Sequence, residues 1–419
     1  MKSIKVLIIN ATDIHGGAGR AAHRIHKGLL KNDLLSKMLV QKKYSDDFTV
    51  EEVDTKYRKY LPYPVPLIID HIPLLFYRKR KKVTWSLNWF RSRRIKMINK
   101  LDSDIINLHW INNGFIRLQD LKKIRKPIVW TLHDMWAFTG GCHYTEHCEK
   151  YEKKCYACHI LGTKKKRDLS NNRFKVKKKI YDKLNITIVT PSRWLADCAR
   201  KSELLKNKNI KVIPNGIDLR KFRPLDTKQA REILDVPKDK KLILFSALYA
   251  TSDLRKGFQY LFSALKELAN KNSYELLVLG AGEPETKKKI RFGIKTHYLG
   301  KLNDDYSLIL AYNAADVLVV PSVQDNLPNT IKEALACGTP CVGFDIGGIP
   351  DMIEHKYNGY ISKAFIEKDL ANGIDWVLGQ NKNLIRKRAR KKAEDMLDID
   401  KTALKYSQLY KDILNYKVK

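Results

Sequence analysis

Short runs rich in Val, Ile and Leu alternate with longer stretches of helical periodicity along most of the chain. That alternation predicts parallel β-α-β units, whose ligands bind at the carboxyl ends of the strands. In the first half the predicted strands include residues 6–10, 105–109, 127–132 and 186–190, with a helical stretch over about 20–30. In the second half they include 242–247, 275–279, 317–320 and 340–344. A turn-rich segment, 214–237, opens with Pro214-Asn215-Gly216 and interrupts the pattern before residue 242 restarts it. The expected fold class is α/β, with two doubly wound, Rossmann-like domains over 1–225 and 226–400. A last helix, about 404–416 within the tail 401–419, is expected to cross back to the first domain.

Length agrees with this division, because 419 residues exceed what one core of ordinary size organises. Lys and Arg number 80 against 45 Asp and Glu, a formal net charge of +35 whose field attracts anions of any kind. Nucleic acid, acidic lipid, sugar nucleotides and acidic glycans all meet that condition. The chain opens directly on a strand-like run at 5–10, and no apolar run approaches the ~20 residues of a spanning helix, so a cytoplasmic protein is expected.

Two segments carry chemistry. Asn10, Asp13 and His15 lead into Gly16-Gly17-Ala18-Gly19-Arg20, a glycine-rich junction between strand and helix where backbone amides approach a phosphate. It matches neither the dinucleotide fingerprint nor the Gly-Lys-Ser/Thr close of a P-loop, so a plain tight turn stays open beside phosphate binding. The second segment follows strand 317–320: Pro321-Ser322, then Asp325-Asn326-Leu327-Pro328-Asn329-Thr330, then a helix carrying Glu333 and ending in Ala336-Cys337-Gly338-Thr339-Pro340. Two carboxylates and free helix amides at one strand end suit a sugar, a diphosphate and a ribose together. The plainer reading is that Asp325 and Glu333 complement a helix N-terminus.

The order of a Gly-Gly loop after the first strand, Thr131-Leu132-His133-Asp134, Thr190-Pro191-Ser192, Val212-Ile213-Pro214-Asn215-Gly216-Ile217-Asp218, Arg255-Lys256-Gly257 and an acidic-x7-Glu helix resembles the retaining GT-B glycosyltransferases of family 4. The resemblance covers essentially the whole chain. It implies two Rossmann-like domains facing across a cleft, a UDP- or GDP-sugar donor, and a glycan or lipid-linked acceptor in bacterial surface polysaccharide synthesis. It implies that Asp325 contacts the donor sugar and Glu333 the ribose hydroxyls, while the backbone of Asn326, Leu327, Pro328, Asn329 and Thr330 follows sugar and phosphates. Lys256 matches the phosphate-binding lysine. The companion arginine is missing from Ser246-Ala247-Leu248-Tyr249; Arg255 is either its substitute or a solvated basic residue on a loop. Gly16 and Gly17 fall on the donor site, and His133 lies at the sugar-facing end of the first domain, making His133, Asp325 and Lys256 the expected catalytic set; His109, at another strand end, is a lesser candidate. Asp in place of the usual Glu and Asn-Leu-Pro in place of a glycine-containing turn leave the sugar preference open. No cofactor is implied for catalysis.

Cys142, Cys148, Cys155 and Cys158 fall in one loop, 140–160, with His143, His147 and His159 among them. The closing Cys-x2-Cys matches a structural zinc site; free thiols or a disulfide are the alternatives. Between 57 and 90, Tyr57, Tyr60, Tyr63, Leu74, Leu75, Phe76, Tyr77, Trp85, Trp89 and Phe90 surround Arg78-Lys79-Arg80-Lys81-Lys82, and Lys164 to Arg167 adds a second basic run. Such a segment either docks on an anionic membrane or is a packed helix pair with a solvated charge run. Two competing functions remain: a nucleotide-sugar epimerase or phosphorylase on the same fold, and a basic nucleic-acid-binding protein. The last has no recognition module and leaves the motif order unexplained, so nucleic acid is not an expected partner.

Overall fold

The computed structural model describes residues 3–53, 64–91, 94–246, 253–280, 293–302 and 304–415. It divides into two units, Met1–Asn215 with Asp400–Lys419, and Gly216–Ile399. Residues between Gly216 and the expected boundary at 225 belong to the second unit, because Ile217 and Phe222 are buried in its core.

In the first unit seven parallel strands run β1 (Lys5–Thr12), β2 (Leu35–Lys42), β3 (Val50–Glu52), β4 (Ile105–Leu108), β5 (Ile128–Thr131), β6 (Ile186–Thr190) and β7 (Asn209–Val212). Their spatial order is β3-β2-β1-β4-β5-β6-β7. Strands β4, β5 and β6 are buried at every position, which is why they read as unbroken apolar runs. The edge strand β7 carries exposed Asn209 and Lys211 and has no such signal. The helix Gly16–Lys31 begins earlier than periodicity suggested and buries Ala21, Ala22, Ile25 and Leu29. The chain returns to this unit through the C-terminal helix, Ile399–Asn415. Buried Tyr410 accepts from Asn107 Nδ2 at 2.8 Å, and Tyr406 Oη lies 3.1 Å from Thr131 Oγ1.

The second unit holds six parallel strands: β8 (Lys241–Ser246), β9 (Tyr274–Leu279), β10 (Thr296–Tyr298), β11 (Val317–Val320), β12 (Cys341–Phe344) and β13 (Gly359–Ser362). The order is β10-β9-β8-β11-β12-β13. In both sheets the winding reverses once, between β1 and β4 and between β8 and β11. At such a reversal the adjacent crossovers leave on opposite faces and open a crevice at the strand carboxyl ends. Each unit thus has one place where its topology presents a binding site.

Candidate functional site

At the reversal point of the second unit three loops meet. The turn after β8 holds a short 3-10 segment, Leu254–Lys256, capped by the Asp253 carboxylate on the Arg255 amide at 3.0 Å. Gly257 follows with φ +72°, and a Cβ there would lie 1.6 Å from the Pro321 carbonyl oxygen. The conformation is one glycine adopts without strain, and the missing side chain lets this turn touch the loop that leaves β11. The Val323 amide donates to the Arg255 carbonyl at 2.8 Å and completes the junction. From the other side Gly347, φ +55°, abuts the Asp325 carbonyl, which also accepts from the Gly348 amide at 3.2 Å.

This packing brings Lys256 Nζ to 2.7 Å from Asp325 Oδ2, with Arg255 Nη1 at 3.5 Å from the same oxygen. The Asn326 amide donates to Asp325 Oδ1 at 2.9 Å. Burial pushes the Asp325 carboxyl up, but Lys256, Arg255 and the Asn326 amide outweigh it and hold the group below the ordinary carboxylate range. Arg255 also donates to the Gln324 carbonyl and faces Asp253 at 3.3 Å, so it is an anchored cation and not a solvated loop residue. Helix Asn329–Ala336 starts with Pro328 at its N-cap and without a capping side chain. Glu333 on that helix is buried and accepts from the Tyr312 hydroxyl at 2.9 Å, which fixes the carboxylate. Two cations, two carboxylates and a helix N-terminus can hold a diphosphate and hydroxyl groups at one strand end.

Sequence reasoning had placed Asp325, Asn326, Leu327, Pro328, Asn329, Thr330, Glu333, Arg255 and Lys256 in one region, and the structure gathers all nine there. It missed Tyr312, Asp253 and Gly347. Residues 247–249, where the companion arginine is absent, lie outside the described residues.

The other expected residues stand at the reversal point of the first unit. Gly16 and Gly17 form the first turn of a helix and not a loop before it, and no side chain caps that helix. Buried Asp13 accepts from the Tyr44 and Ser45 amides at 2.9 and 2.8 Å, fixing the approach to the glycines. His109 and His133, at the ends of adjacent strands, stack with Nδ1 of His109 2.8 Å from Nε2 of His133. Burial, followed by the neighbouring His133, pushes His109 well below the ordinary histidine range, so its ring is neutral. Its buried Nε2 has no hydrogen-bond partner, which favours the tautomer that donates from Nδ1 to His133.

Asp134 is engaged separately. It accepts from His143 Nδ1 at 2.7 Å, Trp110 Nε1 at 3.1 Å and the Trp136 amide at 2.8 Å, while His143 Nε2 meets Ser86 Oγ at 2.9 Å. Ser86 is buried, so this Ser-His-Asp row serves as a strut that ties segment 85–89 to the turn after β5.

Cys142, Cys148, Cys155 and Cys158 line one small cavity with Trp85 and Tyr151, and all four are free thiols. Among the described residues no group of three or more His, Cys, Asp or Glu side chains is placed so that it could hold a metal ion. Buried Lys177 holds the start of the loop, donating to the Trp136 and Thr139 carbonyls over the Trp136 ring. Burial raises the Cys155 thiol to about 12 and pushes the Cys142 thiol well above the ordinary range.

Comparison with known proteins finds matches in both units. Residues 240–380 match the family described as glycosyl transferases group 1, and residues 15–221 match glycosyltransferase family 4. The putative colanic acid biosynthesis glycosyl transferase WcaC of Escherichia coli is 29% identical over 252 residues, 57% of this chain and 58% of that protein. An N,N'-diacetylbacillosaminyl-diphospho-undecaprenol alpha-1,3-N-acetylgalactosaminyltransferase of Campylobacter jejuni is 28% identical over 226 residues, 52% of this chain and 58% of that one. The chain thus matches a little over half the length of these curated relatives. Among solved structures, Anabaena HepE in complex with UDP and glucose superposes with a TM-score of 0.65 at 16% identity, covering 98% of this chain and 100% of that one.

Proposed function

The chain belongs to the family 4, group 1 glycosyltransferases and has the GT-B fold, and from that premise we propose that it moves a sugar from a UDP- or GDP-linked donor to a glycan or lipid-linked acceptor of a bacterial surface polysaccharide, at the cytoplasmic face of the membrane. The single observation that carries the reading is the Lys256–Asp325 pair at 2.7 Å beside anchored Arg255 and buried Glu333. The names of the relatives support the acceptor class: one is assigned to colanic acid biosynthesis, the other names a diphospho-undecaprenol acceptor. HepE, seen with UDP and glucose, supports the donor class.

In this reading Glu333, fixed by Tyr312, receives the ribose hydroxyls, and Lys256 and Arg255 hold the diphosphate. The C1–oxygen bond to the diphosphate breaks while the acceptor oxygen attacks the same face of the sugar, so the configuration is retained. The acceptor proton passes to the departing phosphate oxygen. Neither a protein nucleophile nor a metal ion is needed; the residues position the sugar and stabilise the leaving charge. His133, with Nε2 engaged by His109, orients a sugar hydroxyl.

Transfer from a panel of UDP- and GDP-sugars to isolated glycan and lipid-linked acceptors tests this. Lys256→Ala and Glu333→Ala each lower turnover at least ~10-fold without unfolding the protein. Near-wild-type rates in both would overturn the site assignment, and donor isomerisation without an acceptor would identify an epimerase.

A further inference from the structure

The helix Val65–His71 and the 3-10 turn Ile72–Phe76 that continues it turn one face inward and leave another bare. Inside, Leu74 packs in a small core with Trp85, Leu87, Cys142, Ile160 and Leu161. Buried Asp70 accepts from the Asn88 amide at 3.2 Å and the Trp89 amide at 3.0 Å, and the Tyr77 hydroxyl accepts from the Leu169 amide at 2.9 Å. The element is therefore pinned at three points along its length. Outside, Ile68 and Ile72 stand one turn apart, followed by Leu75 at 70% and Phe76 at 84% exposure. Four large apolar side chains side by side on a rigid support are not the scattered exposure that a solvated surface tolerates.

Basic residues border that ridge. Arg78, Lys79, Lys81 and Lys82 follow directly and are exposed. The loop bearing exposed Lys164, Lys165, Lys166 and Arg167 lies alongside: the Lys81 amide donates to the Ile160 carbonyl at 2.8 Å, and a Cβ on Gly162 would lie 2.4 Å from the Lys79 carbonyl. Lys81 pairs with Glu146 at 2.6 Å. Among the described residues no acidic side chain pairs with Arg78, Lys79, Lys82 or Lys164 to Arg167. A rigid apolar ridge beside unpaired cations complements a surface that is anionic outside and apolar a few ångströms within.

We infer that the ridge Ile68, Ile72, Leu75 and Phe76, with the cations at 78–82 and 164–167, docks this unit on an anionic lipid bilayer. The apolar side chains enter the boundary between headgroups and acyl chains, and the cations engage lipid phosphates at the surface. The inference rests on the surface alone and not on the sugar-transfer reading, so the two fail in different experiments. Tyr57, Tyr60 and Tyr63 lie outside the described residues and take no part in it.

The test is flotation of the full chain with vesicles of phosphatidylcholine alone and of phosphatidylcholine containing about one third phosphatidylglycerol. Wild type floats with the anionic vesicles and stays behind with the neutral ones. Leu75→Ser/Phe76→Ser and, separately, Lys79→Gln/Lys82→Gln/Lys165→Gln each weaken anionic binding at least ~10-fold while melting temperature is unchanged. No flotation by wild type, or variants that float as well as wild type, overturns the inference. Loss of self-association in the serine variant without any flotation assigns the ridge to a second copy of the chain and overturns it equally.

Discussion

Lys256 Nζ and Asp325 Oδ2 stand 2.7 Å apart, joining the turn after β8 to the loop after β11. The pair is mostly sheltered, with the carboxylate side chain 9% and the ammonium 24% exposed, so its attraction exceeds that of a surface pair. In the proposed reaction the pair also places a negative charge where the diphosphate binds, so the lysine passes from carboxylate to phosphate when the donor arrives.

That exchange separates binding from turnover. Asp325→Asn keeps the shape and removes the repulsion, so the nucleoside diphosphate binds about fivefold tighter, roughly 1 kcal/mol, while turnover falls at least ~10-fold because the sugar loses its carboxylate partner. Calorimetry and initial rates on the same preparation check both. Weaker nucleotide binding with unchanged turnover contradicts the role given to Asp325.

Gly257 is required by contact as well as by conformation. Gly257→Ala drives a methyl into the Pro321 carbonyl, whereas Gly300→Ala, at φ +65°, meets nothing within 4 Å and bears only the backbone cost of about 1–2 kcal/mol. Thermal melts should show a larger fall for Gly257→Ala, accompanied by loss of nucleotide binding. Equal melting and equal binding in the two variants would contradict the junction of the two loops.

Acid weakens the first unit through its neutral histidines. His26, bonded to Ser36 Oγ and Thr49 Oγ1 at 2.8 and 2.7 Å, is held by burial down to about 3, with His23 and Lys27 also lowering it and Asp47 opposing. The unfolded chain takes up the proton near pH 6.5 and the folded chain does not, so stability falls as pH drops below about 6.5. His26 alone accounts for about 2 kcal/mol between pH 6.5 and 5, and His109 acts in the same direction. Denaturant titrations across that range should steepen this loss in wild type and flatten it in His26→Gln; a pH-independent midpoint contradicts it.

Transfer proceeds without a divalent ion in this account. Turnover in excess EDTA should match untreated enzyme, and activity lost to EDTA and restored by a divalent ion would contradict the assignment of leaving-group stabilisation to Lys256 and Arg255.

The central strands were legible in the sequence because β4, β5, β6 and β11 are buried on both faces and admit only apolar residues. Strand β2 was not, since Ser36, Lys37 and Gln41 break its apolar run; β3 and β10 have only three residues each, and Asn209 and Lys211 in β7 and Gly359 and Ser362 in β13 interrupt any apolar run. At the site, Asp325 and Glu333 were legible because their spacing follows one loop and one helix, and Lys256 because Arg255-Lys256-Gly257 matches the family motif. Tyr312 was hidden: it comes from another helix, Asp305–Ala314, and meets Glu333 only through packing. Gly347 was hidden for a similar reason, its neighbour Asp325 lying in a different loop. The gathering of Cys142, Cys148, Cys155 and Cys158 around one cavity was legible from their spacing in a single loop, whereas buried Lys177, which ties that loop to the Thr139 carbonyl, comes from a separate helix and was not.

The most direct measurement is calorimetric titration of UDP, GDP and ADP into wild type, Glu333→Ala and Lys256→Ala, since ribose and diphosphate contacts persist without the sugar. The account predicts saturable binding of one nucleotide to wild type and at least ~10-fold weaker binding to each variant. Binding of none of the three to wild type, or equal binding to all three proteins, would contradict it.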